Sequence, residues 1–356
     1  MPPWTTSVPA LGVVLLVLTW GSKSPLVLVV VGVWLAASVL SAVHHAEVVA
    51  HRVGEPFGSL VLAIAVTVIE VALIVTLMIS TDSDTSTLAR DTAFAAVMVT
   101  LNGIVGLSLL FGTLRTRLAQ FNAEGTASAL ATALTLTTLT LVVPNFTTSE
   151  PGAEFSASQL AFAAVAALGL YALFVLMQTV RHRDFFLPVG KDGEAGAEEH
   201  AEPPSDGEAR WSLAMLLVSL VAVVGLAKTE SPAIEDAVAA IGAPQSAVGV
   251  VIAILVLAPE TIAAVRNARR GRVQTSFNLA YGSAMASIGL TIPAIAIASI
   301  WVDGPLTLGL EPTQMVLLAL TAVVSALTVL PGRATLQESS VHLAIFAAFL
   351  FLALNP

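Results

Sequence analysis

Long apolar runs separated by short polar breaks recur along the whole of this chain. Eleven of them lie near residues 8–20, 25–43, 58–80, 91–113, 125–143, 157–180, 211–227, 245–266, 274–301, 312–330 and 334–354. A helix needs about 20 apolar residues to cross the hydrocarbon of a bilayer, and most of these runs are near that length. A barrel would show shorter segments alternating apolar and polar. The pattern predicts an all-α polytopic membrane protein with about 11 transmembrane helices, set in a lipid bilayer. The first run, Val8–Trp20, is short and has no basic stretch before it, so it reads as a short spanning helix rather than a cleaved signal.

Basic residues in the breaks give an orientation. Arg52, Arg115, Arg117, Arg181, Arg183, Lys191, Arg210, Arg266, Arg269, Arg270, Arg272 and Arg333 fall on one side if the runs alternate; only Lys23, Arg90 and Lys228 fall on the other. Lys and Arg collect in cytoplasmic loops, so the N-terminus is expected in the cytoplasm and the C-terminus outside.

One long hydrophilic stretch interrupts the pattern. Residues 181–210 carry eight acids against four Lys and Arg, with Gly and Pro between them, the composition of a cytoplasmic linker. It separates a first five-helix unit, 25–180, from a second, 211–356, and leaves 1–24 as an extra N-terminal helix. Setting Asp91 on Gln274 without gaps places Thr92 on Thr275, Phe94 on Phe277, Thr100 on Ser283, Gly106 on Gly289 and Ser108 on Thr291. The matching segments, about 54–113 and 242–301, begin five helices apart, so they enter the membrane from opposite sides. That is an inverted repeat, a design in which the substrate site lies at the midplane where the repeats meet.

Within each repeat an acid sits midway along an apolar helix: Glu70 in AVTVIEVALIV and Glu260 in ILVLAPETIAAV. A carboxylate at membrane depth is expensive and by default marks an ion or proton path. A single such acid also has a bland reading, packing protonated against a neighbouring helix. Two at equivalent depth favour a shared site, where protons and a metal cation compete for the same oxygens and their fluxes become coupled. The charge of two carboxylates balances one divalent ion or two protons, which suits calcium/proton exchange, although one carboxylate would equally serve sodium or potassium.

Calcium takes about six to eight oxygen ligands, so further donors are needed. Ser276, Ser283, Ser287 and Thr291 form one stripe on the ninth run, with Thr100 and Ser108 as the poorer counterpart on the fourth. Asn102 and Asn278 offer amide oxygens, and Thr67 lies one turn before Glu70. Hydroxyls also line helix contacts for steric reasons alone. Pro259 frees a backbone carbonyl ahead of Glu260, either as a ligand or simply as a kink. Toward the cytoplasmic ends, His44, His45, Glu47 and His51 follow the second run, and Glu338 and His342 lie one turn apart in the last. His45, Glu47, His51, Glu338 and His342 are candidates for a proton route or pH sensor; a solvated helix end is the alternative for the first cluster.

Composition changes the picture only by exclusion. The chain has 356 residues, 56% apolar and 11% charged, with mean hydropathy +0.89; soluble domains carry about 25% charged residues. There is no cysteine, hence no disulfide and no thiolate metal site. The net charge of −9 resides in loops and suggests no nucleic-acid partner. No P-loop, zinc-protease or nucleophile-elbow pattern occurs, so the chain is not expected to be an enzyme or to hold a cofactor beyond the transported ions.

At GEPFGSLVLAIAVTVIEVALI, LAPETIAAV and QTSFNLAYGSAMASIGLTIP the chain resembles bacterial calcium/proton antiporters of the ChaA type, in the cation/calcium exchanger superfamily. RDTAF, HAEVVAHRVGEP and GRATLQESSVHLAIFAAFL extend the resemblance to nearly everything past the first run. It implies a ten-helix core working by alternating access in the bacterial inner membrane. Its central acids would fall on Glu70 and Glu260, and its polar positions near Asn102, Asn278 and Ser283. One departure stands out: the second repeat has the Pro259-Glu260 step that related exchangers show, but the first reads Ile69-Glu70. Sodium or potassium exchange by the same fold, a passive cation channel and a membrane-embedded enzyme are the competing functions.

Overall fold

The computed structural model describes residues 3–22, 24–54, 57–80, 85–188, 204–240, 242–301 and 304–355. The middle half of the 181–210 linker expectation, residues 189–203, therefore falls outside the described residues. Its first part is the short turn Arg183–Phe186, and its end is already helical from Asp206.

The helices are α1 (Pro3–Thr19), α2 (Pro25–Val53), α3 (Phe57–Ser80), α4 (Leu88–Met98), α5 (Val105–Thr116), α6 (Ala123–Thr137), α7 (Ala157–Leu176), α8 (Asp206–Ala240), α9 (Ser246–Arg269), α10 (Val273–Ala298), α11 (Pro312–Val329) and α12 (Leu336–Leu354). A π-helical turn, Val99–Ile104, joins α4 to α5 as one span, and another, Met177–Arg181, ends α7. Ten helices among the described residues are long and apolar enough to cross a membrane. The run expected at 8–20 is the shorter α1, whose 17 residues reach about 26 Å against a hydrocarbon core of about 30 Å.

The alternation of ends is visible in the loops. A two-stranded pairing of β1 (Ala119–Gln120) with β2 (Arg333–Ala334) joins the α5–α6 and α11–α12 connections on the arginine-rich side. An isolated bridge, Glu154 to Thr307, joins the α6–α7 and α10–α11 connections on the other.

Two helices run longer than their apolar content suggests. α2 continues through the His44–Arg52 segment, and α8 continues past Ala227 to Ala240. Both are held by packing, since α2 lies along α8 and α1 fills the groove between them. Pro9 inside α1 cannot donate to the carbonyl of Thr5. That freed oxygen accepts from Ser41 Oγ at 2.6 Å and from His45 Nε2 at 2.9 Å, both on α2.

The span Leu88–Leu114 is 83% buried by protein and is the centre of the bundle. Crossed packing surrounds it: α4 lies on α9, while α3 lies on α10. On the side away from the arginine-rich loops, Arg90 ties α4 to α11. Its guanidinium meets Asp91 at 2.8 Å and Glu311 at 3.3 Å, and donates to Gly309 O at 3.2 Å, while Gln314 donates to Asp91 at 3.2 Å.

The α4–α9 crossing is close because Gly249 carries no side chain. A Cβ there would stand 2.8 Å from Thr92 N and 2.9 Å from the Asp91 carbonyl carbon, both backbone atoms. Gly249→Ala should therefore lower stability by about 1–3 kcal/mol through overpacking. Gly169→Ala on α7, where nothing lies within 4 Å of the new Cβ, should be neutral or stabilising by up to about 1 kcal/mol. Thermal unfolding of the two purified variants in one detergent checks the contrast.

Candidate cation site

Glu70 on α3 and Glu260 on α9 both face one cavity of about 260 Å³ and are 4% and 7% exposed. Each acid sits mid-helix in a largely apolar segment, and no hydrogen bond to its carboxylate from a side chain of its own helix is found among the described residues. Partners come from α10, the helix that packs against both α3 and α9. Ser287 donates to Glu70, with Oγ 2.7 Å from Oε1 and 2.9 Å from Oε2. Thr291, one turn further, lies beside the same carboxylate. Glu260 is served less well: its Oε2 is buried and has no hydrogen-bond partner among the described residues. The two carboxylates are within electrostatic reach of each other, and Glu260 also senses Glu47 on α2.

The rest of the lining shows where the cavity leads. On α3 it runs from Glu70 back to Leu62, on α10 from Ser287 back to Thr275, and on α7 from Tyr171 forward to Gln178. All three trails end near helix termini on the arginine-rich side. The twelve residues from Thr275 to Ser287 correspond to about 18 Å of helix. A mouth on that side thus leads to a floor at mid-membrane depth.

Among the described residues no group of three or more His, Cys, Asp or Glu could hold a metal. The oxygen-bearing residues lining the cavity are the two carboxylates, the hydroxyl residues Thr67, Tyr171, Thr275, Ser283 and Ser287, and the amides Asn278 and Gln178. Such a set takes hard cations, which prefer oxygen. It also takes protons, because carboxylates out of water are held by one or the other. The profile of the sodium/calcium exchanger proteins matches residues 23–180 and 211–355, leaving out α1 and the linker.

The chain belongs to the sodium/calcium exchanger family. It is 42% identical over 360 residues to the putative ionic transporter y4hA of Sinorhizobium fredii, covering 100% of this chain and 97% of that one. It is 33% identical to the sodium-potassium/proton antiporter ChaA of Escherichia coli, over 96% and 93% of the two chains. Among solved structures it is similar to native YfkE, a protein described as a Ca²⁺/H⁺ antiporter, with TM-score 0.74, 16% identity and 99% of each chain covered. That likeness shows the shared helical fold. The homologues are ion exchangers and transporters, so the exchanger is not an enzyme.

Not every residue expected near the acids lines this cavity. Glu70, Glu260, Thr67, Asn278, Ser283 and Ser287 do. Asn278 is already engaged, donating to Phe186 O at 2.6 Å and accepting from Gln274 at 2.9 Å, so it pins the start of the linker at the mouth. Asn102 and Thr100 lie in the π-turn of the central span, outside the lining. Thr100 donates back to Ala96 O at 2.7 Å. Asn102 donates to Thr321 at 3.0 Å, and its Oδ1 lies 3.2 Å from His342 Nδ1. Ser276 on α10 donates to Ala264 O on α9, a helix tie.

The expected proton-route residues scatter in the same way. His342 is fully buried between Asn102 and Thr328, its Nε2 3.1 Å from the threonine hydroxyl. The amide oxygen makes Nδ1 the donor, so Nε2 accepts from Thr328. His45 is buried between Thr5 O and Ser212. Glu338 closes a capping box at the start of α12, accepting from Thr335 N at 2.7 Å. Glu47 and His51 are exposed on α2.

Gln178, Tyr171 and Phe174 reach the cavity from α7, which sequence reasoning passed over. A signal existed: Gln178 is an amide within an apolar span, and it sits in a π-turn, a distortion frequent at functional sites.

The Asn102–His342 contact yields a check. Asn102→Ala would leave buried donors and acceptors of His342 and Thr321 unpaired, at a cost of about 1–3 kcal/mol. Ser283→Ala, at the cavity wall, should leave the melting temperature nearly unchanged and act on cation affinity instead. Equal loss of stability in both variants would contradict this division.

Proposed function

We propose that this membrane exchanger exports cytoplasmic Ca²⁺ in exchange for inward protons by alternating access, with Glu70 and Glu260 binding cation and proton in turn. One observation carries the reading: two buried carboxylates face a single cavity, and one of them has an oxygen with no hydrogen-bond partner among the described residues. Either a cation or a proton completes that group, and the two exclude each other. Thr67, Ser283 and Ser287 would add hydroxyl ligands, and water entering through the mouth would supply the remainder.

The arginine-rich loops support an orientation with the mouth and the N-terminus in the cytoplasm and the C-terminus outside a bacterial inner membrane. In that setting the described conformation is inward-facing, with the outer side tied by Arg90, Asp91 and Glu311. The crossed packing of α3 on α10 and α4 on α9 supports the inverted repeat, because each repeat's acid-bearing helix lies on the other repeat's following helix. Proton entry is through the same mouth, with Glu47 as the outlying carboxylate within electrostatic reach of Glu260. His45, His51, Glu338 and His342 lie outside the cavity lining and would act on pH dependence at a distance, through helix packing.

A second reading has its own support. The 33% identical relative is a sodium-potassium/proton antiporter, and Asn102 and Thr100 are turned to other partners, leaving a sparse ligand set for a divalent ion. Exchange of Na⁺ or K⁺ for protons at the same acids is that reading.

Everted membrane vesicles loaded with a pH gradient separate these functions. The parent should dissipate the gradient when Ca²⁺ is added, or with Na⁺ or K⁺ under the second reading. Glu70→Gln and Glu260→Gln should each reduce the response to background at normal membrane abundance. Full activity in both variants would sink the site, and cation flux without proton movement would identify a channel.

A further inference from the structure

The cavity is larger and more apolar than an inorganic ion requires. A hard cation is held by oxygen atoms at about 2.0–2.6 Å and gains nothing from hydrocarbon walls. Here the approach to Glu260 is walled by Leu62, Ala63 and Val66 on α3, Phe174 on α7, and Leu257 on α9. A concave, mainly apolar chamber with a few convergent polar groups is the form of small-molecule sites in general. We propose that it binds amphipathic organic ammonium ions: compounds carrying one ammonium group on an aromatic or branched aliphatic body.

Three features fix that chemistry. The charge is set by the Glu260 carboxylate, which lines the chamber and whose Oε2 has no hydrogen-bond partner among the described residues, so the group can accept from an ammonium N–H. Thr67 and Ser283 stand on the same lining and can accept the remaining ammonium hydrogens. The body is set by the apolar walls, where α3 and α7 each pack on α10 and leave the chamber between them. Glu70 is the weaker first contact, since Ser287 already donates to it from α10. An ammonium ion on Glu260 fills the space and the oxygen that an inorganic cation needs, so the two are competitive. The inference rests on Glu260 facing the cavity as an ionisable group, and not on which ion is transported or in which direction.

Calorimetric titration of the purified full-length chain in detergent tests it, with 2-phenylethylammonium chloride as probe. The controls are 2-phenylethanol, which keeps the body without the charge, and ammonium chloride, which keeps the charge without the body. At constant ionic strength the probe should bind at least about tenfold more tightly than either control, and at least about tenfold more weakly to Glu260→Gln. Raising CaCl₂ or NaCl should lower its apparent affinity. Should Glu260→Gln not fold, Ala63→Phe, which fills the chamber away from the acids, should abolish probe binding in its place. No binding, equal binding of 2-phenylethanol, indifference to both substitutions, or indifference to both salts would each overturn the proposal. The two readings fail separately: transport surviving Glu70→Gln and Glu260→Gln defeats antiport at these acids but leaves amine binding standing. Transport lost in Glu260→Gln, with probe binding intact, defeats this inference alone.

Discussion

An acid in the middle of a membrane helix must be given a partner or a purpose, and the bundle is arranged around two of them. Glu70 and Glu260 each sit in a largely apolar stretch of their own helix, relieved nearby only by Thr67 on α3 and by Pro259 and Thr261 on α9. The central span and α10 answer differently. The central span is walled in by protein and turns its polar groups, Thr100 and Asn102, to backbone and to α11 and α12. α10 carries Ser287 to Glu70 and leaves Glu260 open to the cavity. The site is paired but unequal, and the inequality is a property of which helix supplies the hydroxyls.

That inequality has a mechanical side. α9 bears the less satisfied acid, because Glu260 has a buried oxygen with no hydrogen-bond partner among the described residues. α9 also carries Gly249, where its backbone closes on the start of α4, beside the Arg90–Asp91–Glu311 knot. α9 thus carries both an acid at the cavity and, near its start, the close crossing with α4. Coupling between two sites needs a discrete element that both bias, and the α4–α9 crossing lies beside the Arg90–Asp91–Glu311 knot on a helix that also lines the cavity.

The membrane class, the two acids and the segregation of arginines were all readable because each follows from a one-dimensional rule: run length, misplaced charge, loop charge. α1 and α2 were harder. Apolar run length ended the second helix near residue 43, yet it continues to Val53 because α8 lies against it and α1 covers its face. The purpose of His45 was equally hidden. It sits among titratable residues, but its ring is a donor to Thr5 O, a carbonyl that Pro9 leaves free forty positions earlier. Only the tertiary contact reveals that a proline in one helix explains a histidine in another.

Asn102 makes the same point for the site itself. By sequence spacing it belongs with the acids, as an amide on the helix that follows Glu70. An ideal helix would have been the basis for that placement, but the chain inserts a π-helical turn over Val99–Ile104. A π-turn adds a residue to the helical circuit and rotates what lies beyond it relative to what lies before. Asn102 thereby meets His342 and Thr321, while the corresponding stretch of α10 stays regular and keeps Ser283 and Ser287 on the cavity. The stretches 91–108 and 274–291 can be set side by side without gaps in the sequence. A π-turn in the first and none in the second leaves the hydroxyls at the cavity chiefly on α10, with Thr67 on α3.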